Sequence, residues 1–299
     1  MSGKVAVLMG GTSSEREVSL RSGAAVLAAL HSAGLDAFAL DLGTDRIAQL
    51  QAADFDCAFV IEHGGFGEDG HLQAILDAMG KRYTGSGFAA CALAMDKVQS
   101  KAIWRDLGLP VAESWVLSPD TDWDQALKVL GPKVMVKPVS EGSSVGNHIC
   151  HSAAQIQQAY DQAAQYGAIM AERFVEGAEY TCGILGDQAL PLVRIEAQSG
   201  VYDYAAKYQT GDTQYHIPCG LDQKTHGQAQ ALALAASQAL GCSGWSRVDM
   251  IGGPEGFVLL EINTVPGMTE TSLVPKAAAA TGLDFPALCR RIVELAYDR

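Results

Sequence analysis

The feature that most restricts the fold is the alternation of short apolar runs and helix-period stretches in the first third of the chain. "KVAVLMG" is followed by a Gly/Ser loop and a helical stretch from about Glu17 to Ala33, and "DAFALDL" and "CAFVIEH" repeat the strand pattern. "GHLQAILDAMG" then reads as a helix closed by Gly80. Strands separated by helices pair in parallel, and such sheets take ligands at the carboxyl ends of their strands.

The remainder is mixed. From about Ala89 one helix is expected to carry "ACALAMDKVQSKAIWRDLG" and to stop at Gly108 and Pro110. Strand-like "ESWVLS", helical "TDWDQALKVLG", strand "KVMVKPV", the Gly/Ser loop "SEGSSVGN", a helix near 152–166 and strand "AIMAERFV" make a unit of α+β character. "EYTCGILG" and "QALPLVRI" read as a hairpin, a loop-rich segment runs over about 198–220, and an Ala-rich helix precedes a last hairpin, "SRVDMIGGPEGFVLLEIN". The expected class is α/β followed by α+β, divided into an N-terminal unit over 1–88, a central one over 89–178 and a C-terminal one over 179–299.

Several functions are excluded early. A net charge of −13 without a basic cluster argues against a nucleic-acid surface, although a few lysines beside a metal suffice for a small anion. No apolar run is long enough for a membrane helix, and "MSGKVAVLMGG" lacks the apolar region of a secretion signal, so no membrane partner and a cytoplasmic location are expected. The seven cysteines are scattered without a C-x-x-C pair, which reads as reduced, mostly buried thiols. There is no G-x-x-x-x-G-K-[ST]. The G-x-G-x-x-A string at Gly85, Gly87 and Ala90 lies far from the first strand, and no strand ending in an acidic residue follows it, so a dinucleotide site is not expected.

The last hairpin carries the most chemistry. Arg247 and Asp249 are two apart on one strand, and Glu261 and Asn263 two apart on the other, so all four side chains can share one surface. Two carboxylates and an amide carbonyl are hard oxygen ligands suited to Mg²⁺; the alternative is a solvated polar face. Lys137 ends the apolar strand "VMVKP" just before "SEGSSVG". A buried lysine needs an anion, and a Gly/Ser loop lets backbone N–H groups approach one. Lys97 and Lys207 could join it, or be surface lysines. Glu172 and Glu179 flank a short turn, a plausible pair of contacts to an adenine edge and a ribose.

In order and at matching spacings, "GGTSSEREVSLRSG", "EHGGFGEDGHLQ", "YTGSG", "MDKVQSK", "VKPVSEGSSVG", "YDYAAKY", "RVDM" and "EINTVPGMTETSL" resemble the D-alanine–D-alanine ligases, members of the ATP-grasp ligases, over essentially the whole chain. The resemblance implies an ATP-grasp fold, an N-terminal parallel-sheet domain plus two α+β domains clasping the nucleotide. It implies ATP-dependent joining of two D-alanines through an acyl phosphate, for peptidoglycan precursors, with two Mg²⁺ ions (Mn²⁺ able to substitute) and a homodimer. The metal ligands would be Asp249, Glu261 and Asn263. Lys97, Lys137 and Lys207 would hold phosphates, Glu172 and Glu179 the adenine and ribose, and Phe174, Val175 and Leu260 the walls around the base. Arg247 and the Gly267 N–H would stabilise the transferred phosphate and the oxyanion.

For the amino acids, the resemblance implies that Glu15 pairs with the first ammonium and His63 contacts the first substrate's carboxylate side. A histidine after an apolar strand can also be a satisfied structural residue. Ser143 and Tyr208 would form a hydrogen-bonded set with Glu15, and Ser272 and the Leu273 backbone would bind the second carboxylate. The segment around 198–220 would order over the nucleotide as a lid. Tyr208, water or a phosphate oxygen could take the second amine's proton. Relatives that make D-alanyl-D-lactate differ around Lys207 and Tyr208, and this chain resembles the dipeptide-forming type. A non-catalytic nucleotide sensor on the same fold should lack some of these ligands, and here all are occupied. Glu62 is a departure, standing where relatives often have an apolar residue.

Overall fold

The computed structural model describes residues 3–142, 144–197 and 213–298. Four strands form the expected parallel sheet: β1 (Val5–Gly10), β2 (Ala37–Leu42), β3 (Cys57–Val60) and β4 (Arg82–Tyr83), in the order β2-β1-β3-β4. Helices α1 (Arg16–Ser32), α2 (Arg46–Ala52) and α3 (His71–Ala78) connect them. Every residue of β1 is buried, as a strand covered on both faces requires. The third strand stops at Val60, so Ile61, Glu62 and His63 already belong to the loop beyond its carboxyl end.

The expected single helix after Ala89 is two: α4 (Phe88–Met95) and α5 (Lys97–Asp106). Asp96 lies in the extended region and caps α5, its carboxylate accepting the N–H groups of Val98 and Gln99, both at 2.9 Å. A second sheet follows, with β5 (Ser114–Leu117), β6 (Val134–Pro138), β7 (His148–Cys150) and β8 (Ile169–Arg173) antiparallel in the order β5-β8-β6-β7. Its helices are α6 (Trp123–Leu130) and α7 (Ala153–Ala163), whose Leu130 and Ile156 enter its core.

The third sheet is antiparallel: β9 (Ala178–Leu185), β10 (Gln188–Ala189), β11 (Val193–Glu196), β12 (Gln214–His216), β13 (Trp245–Gly253) and β14 (Gly256–Asn263). Its order is β12-β11-β9-β13-β14, with β10 on β9. Helix α8 (Gln223–Ala239) precedes the β13–β14 hairpin, and α9 (Leu273–Ala279) and α10 (Phe285–Tyr297) end the chain.

Packing crosses these segments. Leu288, Ile292 and Val293 of α10 share a core with β1 and β3. Trp104 of α5 packs with Val248, Met250 and Leu259 of the third sheet, and its indole N–H donates to the Ala236 carbonyl at 2.9 Å. Helix α5 therefore lies under the hairpin rather than on the second sheet, which brings its lysines to the hairpin's polar edge.

Candidate active site

The β13–β14 register sets Arg247 opposite Asn263 and Asp249 opposite Glu261. Directly afterwards it shifts: Met250 pairs with Leu259, leaving Leu260 as an extra residue. Strict alternation would send Leu260 and Glu261 to opposite faces, and the bulge turns both toward one cavity. Leu259, Ile262, Val248 and Met250 stay in the core behind. The pattern-based expectation that Leu260 is simply core therefore gives way to a half-buried cavity wall.

Two adjoining cavities meet at this edge, one of about 570 Å³ and one of about 920 Å³, and Lys97, Glu141 and Glu261 line both. The smaller collects Glu15, His63, Arg247, Asn263, Gly267 and Ser272, with Leu273 beside them. The larger collects Lys137, Glu172, Phe174, Val175, Glu179 and Leu260, together with Asp249. The described residues expected for amino acids and for nucleotide thus separate into two chambers joined at Lys97 and Glu261. Ser143, Lys207, Tyr208 and residues 198–212 of the expected 198–220 lid lie outside the described residues, while Gln214–His216 of that segment form strand β12 and not loop.

At the junction Arg247 grips Asp249 with a planar fork, Nε donating to Oδ1 at 2.9 Å and Nη2 to Oδ2 at 2.7 Å. Thr181, opposite Asp249 on β9, donates its hydroxyl to Oδ1 at 2.5 Å. Glu261 stands 3.3 Å from the Lys97 ammonium, which also donates to the Glu141 carbonyl at 2.7 Å. The amide oxygen of Asn263 accepts the Val265 N–H at 3.0 Å, which starts the turn toward Gly267. A Cβ on Gly267 would come within 3.4 Å of the Ser272 hydroxyl, so the bare backbone keeps the space between them open.

The anion that buried Lys137 requires is Glu172 of the neighbouring strand, whose carboxylate it contacts directly. Lys101, fully buried one helical turn after Lys97, reaches the other oxygen of Glu172 at 2.9 Å and the Leu259 carbonyl at 3.2 Å. Burial alone would raise the Glu172 pKa, but the two ammonium groups override it and hold the carboxyl down at about 2. Burial pushes the Lys101 ammonium the other way, toward losing its proton. Lys101 was not singled out from sequence; its signal was the i, i+4 spacing from Lys97 in "MDKVQSK".

His63 is buried and both ring nitrogens are engaged. Nδ1 lies 2.9 Å from the Val265 carbonyl and Nε2 3.1 Å from the Ser22 hydroxyl. A carbonyl only accepts, so Nδ1 carries a proton and donates it to Val265. Glu68, missed in the sequence reading, stands 3.6 Å from Nδ1; burial raises its pKa and His63 draws it back. His63 is thus a satisfied buried histidine and a cavity wall at once. The Ser13 hydroxyl donates to the His63 carbonyl at 2.6 Å and accepts the Glu15 N–H at 3.2 Å, tying the two loops that bear the candidate amino-acid contacts. Ser272 accepts the Thr269 N–H at 3.0 Å at the start of α9.

Comparisons with known proteins show the family. The family described as D-ala D-ala ligase C-terminus matches residues 103–294. A D-alanine–D-alanine ligase from Chromohalobacter salexigens is 48% identical over 294 residues, covering 98% of this chain and 94% of its own. The crystal structure of a D-alanine–D-alanine ligase from Bacillus anthracis superimposes with a TM-score of 0.89 at 32% identity, covering 99% of this chain and 97% of that one. A structure described as D-alanine–D-alanine ligase from Bacillus anthracis complexed with ATP gives a TM-score of 0.86 at 29% identity over 99% and 98% of the two chains.

Proposed function

The chain belongs to the D-alanine–D-alanine ligase family, and we propose that it uses ATP to join two D-alanines into D-alanyl-D-alanine through an acyl phosphate, supplying peptidoglycan precursors. Its fold is the ATP-grasp fold of these ligases. The observation that carries the reading is the junction of the two cavities at Lys97 and Glu261. A γ-phosphate arriving from the larger chamber and a carboxylate from the smaller would meet there, between cations that balance their charge.

The larger chamber takes ATP. Lys97 and Lys137 would hold phosphates, Glu172 and Glu179 the adenine and ribose, and Phe174, Val175 and Leu260 the faces of the base. When Lys137 turns toward phosphate, Lys101 keeps Glu172 ionised. Arg247 would pass its fork from Asp249 to the transferred phosphate and the developing oxyanion, helped by the Gly267 N–H. In the smaller chamber Glu15 would pair with the first ammonium and His63 would bound the first substrate, while Ser272 and the Leu273 N–H would grip the second carboxylate. Ser143, Lys207 and Tyr208 keep the roles the family pattern gives them.

The donor types at the junction fit Mg²⁺: Asp249 and Glu261 stand opposite each other on the hairpin and Asn263 lies two residues further on, all hard oxygen donors with no histidine or cysteine among them. Bound there, two such ions would neutralise phosphate charge during transfer. The same reading carries a homodimer, a cytoplasmic setting, and division near residues 88 and 178, and it requires neither nucleic acid nor membrane. Among the described residues, no helix is long and apolar enough to cross a membrane. Incubation with ATP, D-alanine and D-lactate at neutral pH tests the product: the dipeptide should predominate, and a predominant ester would overturn this choice.

A further inference from the structure

The mechanism leaves unused the buried carboxylate of Glu62 and the partly buried Arg46 beside it. Glu62, 1% exposed, precedes His63 beyond the carboxyl end of β3, and its Oε2 has no hydrogen-bond partner among the described residues. Its Oε1 faces Arg46 Nη1 at 3.6 Å. Backbone crowds this carboxylate: Gly11 has φ of +79°, and a Cβ there would fall 2.3 Å from Oε1. A Cβ on Gly67 would fall 2.0 Å from the Glu62 carbonyl.

Arg46, the first residue of α2, spreads over all three loops that leave the carboxyl ends of β1, β2 and β3. Its Nη2 donates to the Thr12 hydroxyl at 2.8 Å, in the loop that continues to Ser13 and Glu15. Its Nε donates to the Gly43 carbonyl at 3.2 Å, after β2. Its guanidinium carbon lies 4.2 Å from the centroid of Phe66, in the turn that continues to Glu68. Neither Arg46 nor Glu62 lines the smaller cavity, whereas Glu15, His63 and Glu68 do.

We propose that Arg46 and Glu62 are a positioning pair that sets the first amino-acid subsite, holding the Glu15 loop and the His63–Glu68 loop in register through one guanidinium. The inference rests on the assignment of the smaller cavity to D-alanine. Besides Arg46 of α2, the charged groups acting on Glu62 are Asp69 after the Phe66 turn, Arg16 at the start of α1 and Asp41 at the end of β2. Arg16 and Asp41 are paired with each other at 2.7 Å. Burial, only partly offset by Arg46, brings the Glu62 carboxyl up to about 7. Acidification through that point therefore removes the charge that Arg46 faces and loosens the tether.

The test compares wild type, Arg46→Met, Arg46→Lys and Glu62→Gln in two readouts. The first is amide hydrogen exchange over residues 11–15 and 62–69, which needs no turnover; exchange there should quicken in Arg46→Met while β1 and β3 keep their protection. The second is the apparent KM for D-alanine against pH. Arg46→Met should raise it about tenfold with the KM for ATP within about twofold, and Arg46→Lys should restore part of the loss. Glu62→Gln, which removes a buried charge and so is the variant expected to fold, should show at pH 8 the KM that wild type reaches at pH 6. Unchanged loop exchange in Arg46→Met, or superimposable pH profiles for Glu62→Gln and wild type, would overturn the pair's role. Wild type that releases no phosphate in response to D-alanine would instead overturn the ligase assignment, with the exchange data still deciding whether the tether exists.

Discussion

Among individual residues, the account turns on charges that are buried but satisfied. Lys101 and Lys137 are affordable inside the protein because Glu172 stands between them. Glu172 has a folded pKa near 2 against an ordinary 4.5, so its contribution to stability is complete above pH 4.5 and is lost as the pH falls toward 2. That contribution amounts to about 3 kcal/mol. Glu172→Gln should therefore lower stability at pH 7 by about 3–5 kcal/mol, since two ammonium groups lose their anion. Denaturant unfolding over a pH series should also show a shallower acid slope between pH 4.5 and 2 than in wild type. Equal slopes would mean that Glu172 is not held ionised. The sequence showed that Lys137 needed an anion, but not which one, because a strand neighbour is fixed by register and not by proximity in the chain.

At the level of elements, the hairpin was legible and the break between α4 and α5 was not. Spacing by two put Arg247 with Asp249 and Glu261 with Asn263, and the β13–β14 register brings these pairs face to face. The bulge at Leu260 is not distinguished locally, since the apolar run Val258-Leu259-Leu260 before Glu261 equally suits a strand covered on both faces. Around Asp96 strong helix formers on both sides concealed a break that only the aspartate signalled, through its preference for the N-cap. That cap starts α5 at Lys97 and so places Lys97 and Lys101 on one face. Asp96→Ala should cost about 1 kcal/mol in denaturant unfolding and weaken ATP binding, because the first turn of α5 frays where Lys97 is mounted. A variant with unchanged stability would show that packing of Trp104, not the cap, fixes the helix.

For the whole molecule, most strands could be read from periodicity, but β4, β7 and β12 could not, and neither could the mutual packing of the three sheets. An amphipathic helix records that it has an apolar face, not which surface will cover it. The return of α10 to the first sheet and the seat of α5 beneath the third sheet thus emerge only in three dimensions. Those two placements close the molecule around its polar seam, where the chambers meet at Lys97 and Glu261. If the seam is where the γ-phosphate passes to a D-alanine carboxylate, the two substrates must depend on each other. The most direct measurement is phosphate release from ATP in the presence of Mg²⁺, with and without D-alanine. The account predicts release that requires D-alanine and equals the dipeptide formed; release indifferent to D-alanine, or release without dipeptide, would contradict it.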